Sequence, residues 1–187
     1  SANGGPCPRS CHKMVYHAGR KCIYILGKYI DAENRLNGNF SCDFHSYDIS
    51  TKNWTKISDD TRNDGGPSLL YDHQMVVDNK HDCLIIFGGK SVEPRTSELE
   101  YSGLYIYHIA TNNWELLRSD YNPDSNYCQF QFRIGHSMMI EETKESSLVY
   151  IFSGQRLKDY LNDLVVYEVE SDEVIHRVTQ HGGGDKQ

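Results

Sequence analysis

The chain has 187 residues, 38% hydrophobic and 24% charged, with a formal net charge of −7. That composition describes a soluble globular protein rather than a disordered one, and the acidic balance argues against nucleic acid as the main partner, because phosphate binding needs a basic face. No apolar run approaches the roughly 20 residues of a membrane span.

Ser1–Gly5 carries no signal-peptide pattern and reads as a linker. From Pro8 onward the chain follows a pattern that it repeats. A histidine followed by Met and small or branched residues opens each unit: His12-Lys13-Met14-Val15, His73-Gln74-Met75-Val76 and His136-Ser137-Met138-Met139. A polar turn comes next, then an apolar run ending in glycine, namely Ile23–Gly27, Leu84–Gly89 and Val149–Gly154. A variable polar loop leads to a phrase closed by Tyr47, Tyr107 or Tyr167, sixty residues apart, and seven residues beyond each tyrosine stand Trp54, Trp114 and Val174. Self-similarity at such a period marks a repeat protein. The units run from about 8 to 58, 67 to 120 and 133 to 180, in one repeat region that fills the chain.

Each unit predicts four short strands joined by turns. The second strand is continuously apolar, which suits a strand covered on both faces, as when small sheets stack face to face around an axis. The glycines permit a sharp turn or a close approach of backbone. The tryptophans are expected to fill the wedge between neighbouring sheets. The histidines at 12, 73 and 136 have the look of a metal triad, but equivalent positions in successive repeats share one structural job, and packing is the expected role. The six cysteines, Cys7, Cys11, Cys22, Cys42, Cys83 and Cys128, include no CxxC and fit reduced thiols. A zinc set drawn from Cys7, Cys11, His12, Cys42 and His45 has only one ligand-like spacing, Cys42/His45.

These phrases resemble the kelch repeat, whose pattern is a double glycine after the second strand, then Tyr, a short spacer and Trp. Gly88-Gly89, Tyr107 and Trp114 fit it fully. The first unit has Leu26-Gly27 in place of the double glycine, and the third has Ser153-Gly154 and Val174. The resemblance implies an all-β fold: a β-propeller of four-stranded antiparallel blades, here a partial propeller of three. Longer stretches are similar to the muskelin type of kelch protein. They are Asp64-Gly65-Gly66-Pro67 before Tyr71–Met75, Tyr101–Leu104, Arg133–His136, and Gly154-Gln155-Arg156 followed by Tyr160–Asp163. That similarity implies an intracellular multidomain protein of the cytoplasm, with the nucleus a second compartment. It also implies a place in the CTLH E3 ubiquitin ligase complex, recruiting substrates or connecting subunits.

The expected function is a non-catalytic protein–protein interaction scaffold, with no catalytic residue, cofactor or metal. In kelch propellers the loops between strands two and three, here 28–41, 90–102 and 155–162, and the segments between blades, here 59–70 and 119–132, form the recognition face. Arg95, Tyr101, Arg133, Arg156 and Tyr160 are the candidate partner-binding residues, since Arg and Tyr dominate interface energies. The stretch from Tyr121 to Phe132 either plugs a blade junction or docks a partner. The alternatives are a kelch-fold metal-dependent oxidase or lyase and an actin-binding kelch protein. The sequence contains no GxSxG, no GxxxxGK[ST] and no HxH or HxxE pair. Three blades would leave two faces open, to be covered by a second copy that completes a six-bladed ring or by the rest of a longer propeller.

Overall fold

The structure, a computed structural model, describes residues 4–68, 71–92, 99–119 and 130–179. Three four-stranded antiparallel sheets follow one another along the chain. The first blade is β1 (Lys13–His17), β2 (Cys22–Leu26), β3 (Phe44–Asp48) and β4 (Asn53–Ser58), paired in that order. In the second, β5 (Gln74–Asp78) and β6 (Cys83–Phe87) are followed along the chain by a two-stranded ribbon, β7 (Lys90–Val92) with β8 (Leu99–Tyr101), before the outer strands, the first of which pairs directly with β6. The outer strands are β9 (Leu104–His108) and β10 (Asn113–Arg118). The third blade is β11 (Ser137–Glu142), β12 (Ser147–Arg156), β13 (Asp159–Glu168) and β14 (Glu173–Thr179). The first strands β1, β5 and β11 lie side by side, so the blades stack with their first strands innermost.

Strand β6 shows why this sequence needs neighbours. All five of its residues are buried. A strand turns alternate side chains to opposite faces, and here both faces are covered. Leu84 and Ile86 enter a core with Tyr24, Leu26 and Phe44 of blade 1, whereas Cys83, Ile85 and Phe87 enter a second core with Val149, Ile151 and Tyr167 of blade 3. Cys83 behaves as a small hydrophobe, its thiol pushed up to about 12 by burial.

The tyrosine and tryptophan of each unit are cross-strand partners, Tyr47 opposite Trp54 and Tyr107 opposite Trp114. Their ring centroids stand 4.9 and 4.8 Å apart. Trp114 is wedged against Phe44 of blade 1 at 5.6 Å. The backbone before the blade crosses the ring's other side, where a Cβ on Gly66 would stand 2.7 Å from the indole, so only glycine fits. Gly5 crosses Trp54 in the same way. In the third unit Val174 sits opposite Tyr167, and Phe130 takes over the aromatic role, 5.5 Å from the Tyr167 ring. Of the two readings of the stretch before blade 3, Phe130 and Phe132 therefore carry out the plug, both lying against Phe87 in the junction between blades 2 and 3.

The double glycine holds that junction at the backbone. Gly88 has φ 65° and Gly89 φ 89°. The Gly89 N–H donates to the Arg133 carbonyl at 2.8 Å, and a Cβ on Gly88 would come within 2.5 Å of that same oxygen. Two features depart from the sequence reading. The loop after β2 holds a short helix, α1 (Ala32–Leu36), started by Asp31, whose carboxylate accepts the Asn34 N–H at 2.8 Å, with Ile30 and Phe40 packed together nearby. The loops after β6 and in blade 3 are hairpin extensions of the sheet: β12 and β13 run ten residues each.

Candidate partner-binding face

The hairpin extensions rise from one edge of the stacked blades and are pinned by the chain that enters each blade. Tyr71 and Lys90 exchange both backbone hydrogen bonds, as do Ile134 and Gln155, while the Tyr29 N–H donates to the Ser10 carbonyl in blade 1. Each loop is thereby held by its own blade rather than left free, which lowers the entropy a partner loses on ordering it.

Along this edge lies a strip of aromatic and cationic side chains. Tyr29 meets Tyr71 edge-on at 5.9 Å across the junction of blades 1 and 2. The Lys90 ammonium sits 3.3 Å above the Tyr101 ring and the Arg156 guanidinium 4.7 Å from the ring centroid, so one tyrosine carries two cations. The Leu157 N–H donates to the Tyr101 hydroxyl at 2.6 Å, tying the blade 3 hairpin to blade 2, and Arg156 donates to the Phe132 carbonyl at 2.7 Å on the segment that enters blade 3. Beyond this tie the hairpin tip presents Leu157 at 73% and Tyr160 at 84% exposure, Tyr160 facing Gln155 across the hairpin. Among the described residues, neither Leu157 nor Tyr160 is packed into a core.

The structure brings Tyr101 and Arg156 into contact and puts Tyr160 on the same hairpin as Arg156. Arg95 lies outside the described residues. Arg133 does not face a partner. It is 1% exposed and donates to the carbonyls of Gln131 and Ser153, and both carboxylate oxygens of Asp163 accept from it. Arg9 makes the same fork to Asp43 and the same bond to the chain end of β2, at the Gly27 carbonyl. The signal was present in the sequence: Arg9 and Arg133 each stand three residues before the opening histidine, and Asp43 and Asp163 each open the tyrosine phrase. Burial raises the Asp163 pKa, but the Arg133 hydrogen bonds and charge, with Arg177, outweigh it and hold the carboxyl below its usual range. In the inter-blade segment 59–68 a 3-10 turn at Thr61–Asp64 buries Thr61, whose hydroxyl donates to the Pro67 carbonyl at 2.5 Å, while Arg62–Gly65 stay exposed. Tyr29, Tyr71, Lys90 and Leu157 were not singled out by the sequence pattern, because their meeting depends on which loops the blades set side by side.

His73 and His136 are core residues, 0% and 2% exposed. Burial, with the nearby charges of Lys13, His136 and His12, pushes His73 down to about 3. Burial, with Arg133 and Lys13, pushes His136 to about 3 against a raising contact at the Phe87 backbone. Both rings are neutral at ordinary pH. Among the described residues no three His, Cys, Asp or Glu side chains converge as metal ligands, and the set Cys7, Cys11, His12, Cys42 and His45 is not assembled: Cys42 is in the core while Cys7 and Cys11 are exposed.

The family model for the KLHDC2/KLHL20/DRC7 kelch-repeats domain matches residues 12–184. The chain belongs to the kelch-repeat family. It is 34% identical over 182 residues to Mei4-dependent protein 6 of Schizosaccharomyces pombe and 26% identical over 164 residues to Tip elongation aberrant protein 3 of the same organism. Those matches take in 95% and 87% of this chain but only 25% and 12% of the relatives, so the chain spans a small part of their length. The solved structure of YjhT superposes with a TM-score of 0.61 at 12% identity, over 95% of this chain and 52% of that one. The fold is thus a partial kelch β-propeller. These matches establish the kelch family and do not single out the muskelin type.

Proposed function

We propose that this chain is a non-catalytic recognition module whose protein partner docks on the strip from Tyr29 to the blade 3 hairpin tip. The observation that carries the reading is the tip itself, with Leu157 and Tyr160 exposed beside the Tyr101–Arg156 contact on backbone pinned at Gln155 and Leu157. Exposed aromatic and aliphatic side chains next to Arg and Tyr are the usual anchors of an interface, and loops on a rigid scaffold are where repeat proteins place recognition. A catalytic reading finds less support, because two of the three repeat-equivalent histidines, His73 and His136, are walled into the core.

The stretches Tyr101–Leu104, Arg133–His136 and Gly154–Arg156 carry the finer proposal of a muskelin-like module in a cytoplasmic or nuclear CTLH ubiquitin ligase assembly, delivering substrates or joining subunits. The test is affinity capture with quantitative mass spectrometry, comparing the unaltered chain with Tyr160→Ala, Leu157→Ser and a Lys144→Ala control. The reading expects a partner whose recovery falls about tenfold or more with either tip variant and not with the control, a loss of one interface anchor. Equal recovery with all four chains overturns the docking site, and a partner set without subunits of a CTLH ubiquitin ligase assembly overturns the finer assignment.

A further inference from the structure

The blade 3 hairpin turns at an unfavourable residue. Strand β12 ends at Arg156 and β13 begins at Asp159, so Leu157 and Lys158 alone make the turn. Leu157 has φ 55°. A tight hairpin turn takes glycine or asparagine at such a position, because an L side chain crowds the backbone there. Among the described residues Leu157 is the only aliphatic side chain at positive φ. Its side chain is 73% exposed and lies in none of the cores, so packing does not hold it there. Backbone in this region persists only where its surroundings over-determine it, as they do at clamps that present a binding residue.

What over-determines Leu157 comes mainly from the neighbouring blade. Its N–H donates to the Tyr101 hydroxyl at 2.6 Å, and its carbonyl accepts from the Gln155 side-chain amide at 3.2 Å. Tyr101 closes β8, and its ring packs against the core that blades 2 and 3 share. The Lys90 ammonium and the Arg156 guanidinium both lie against that ring. Lys90 is the cross-strand partner of Tyr101 and exchanges backbone hydrogen bonds with Tyr71. A post built on blade 2 thus fixes one peptide N–H at the turn of blade 3.

We infer that Tyr101 is a positioning residue: its hydroxyl latches Leu157 in the left-handed conformation and so sets the pose in which Leu157 and Tyr160 meet a partner. Its part in recognition rests on the docking site proposed above; the latch itself does not. Tyr101 acts through Leu157 and needs no contact with the partner. Without the hydroxyl, the leucine relaxes to negative φ and the turn loses its set geometry, while the ring still fills its place between Lys90 and Arg156.

The experiment compares the unaltered chain with Tyr101→Phe, Leu157→Gly and the double variant by NMR. Tyr101→Phe is expected to speed exchange of the Leu157 amide about fivefold, the effect of one lost hydrogen bond. The Gln155 amide, which donates to the Ile134 carbonyl at the base of the tip, is expected to exchange as slowly as before. The cross-strand contact between Gln155 and Tyr160, read as a nuclear Overhauser effect, weakens in Tyr101→Phe and returns in the double variant, because glycine holds positive φ unaided. Unchanged exchange at Leu157, equal acceleration at Gln155, or a double variant no better ordered than Tyr101→Phe overturns the latch. In affinity capture, Tyr101→Phe is expected to lower partner recovery along with Leu157→Ser. A partner lost with Leu157→Ser but fully kept with Tyr101→Phe overturns the positioning role. A partner kept with both Leu157→Ser and Tyr160→Ala overturns the docking site instead, and the exchange and cross-strand measurements still decide the latch.

Discussion

Arg133 is the clearest case of a side chain whose role is set by what surrounds it rather than by its type. Its guanidinium spans two carbonyls and both oxygens of Asp163, fastening the segment that enters blade 3 to the loop ends of β12 and β13. Removing one partner of a buried ion pair leaves the other uncompensated, at about 3–5 kcal/mol. Arg177, 3.0 Å from Asp163, remains to meet part of the charge, which places the loss at the low end. Arg133→Met is expected to destabilise the fold by about 3 kcal/mol in urea unfolding, and adding Asp163→Asn to recover part of that loss. A loss under about 0.5 kcal/mol, the scale of a surface substitution, would show that the fork is incidental.

At the scale of the element, the decisive unit is not a strand but the wedge between two blades. Trp114 is 7% exposed in the core shared by blades 1 and 2, whereas the equivalent Trp54 lies on the open face of blade 1 and is only partly buried. Deleting a buried indole costs about 3–5 kcal/mol. Trp114→Ala is expected to reach that range and Trp54→Ala to fall clearly below it under conditions where the chain is monomeric. Equal losses would mean that neighbouring blades do not supply the stabilisation. Phe130 shows the same logic by replacement: where the third unit lacks tryptophan, the incoming chain supplies the ring.

For the whole molecule, the buried histidines govern the response to acid. An unfolded histidine titrates near 6.5, while His73 and His136 in the fold titrate near 3. Between those values the unfolded chain binds more protons, so stability is complete above pH 6.5 and is lost as the pH falls toward 3. The loss is about 1.4 kcal/mol per pH unit for each histidine. Asp43 and Asp163, both held below their usual range, add to it only at the acid end. Urea midpoints measured from pH 7 to pH 5 are expected to drop steadily, and His73→Gln to flatten the slope by about half.

The sequence by itself determined the blade. The sixty-residue spacing of Tyr47, Tyr107 and Tyr167, the two-sided apolar second strands and the glycines after them are local requirements of a sheet that must be covered on both faces, and they were readable without coordinates. It also placed Tyr101, Arg156 and Tyr160 in the loops of one edge. Read by residue type alone, Arg133, a fastening inside the fold, was not separated from Arg156, which reaches Tyr101; the repeat equivalence of Arg9 with Arg133 and of Asp43 with Asp163 was the signal that would have separated them. Nor did the sequence show that Lys90 and Leu157 converge on Tyr101, or that Phe130 stands in for a missing tryptophan. Those outcomes depend on which blade lies beside which, and so on side chains from different repeats meeting across a junction. Repetition dictates the face each blade offers, and only the stacking of blades decides what that face touches.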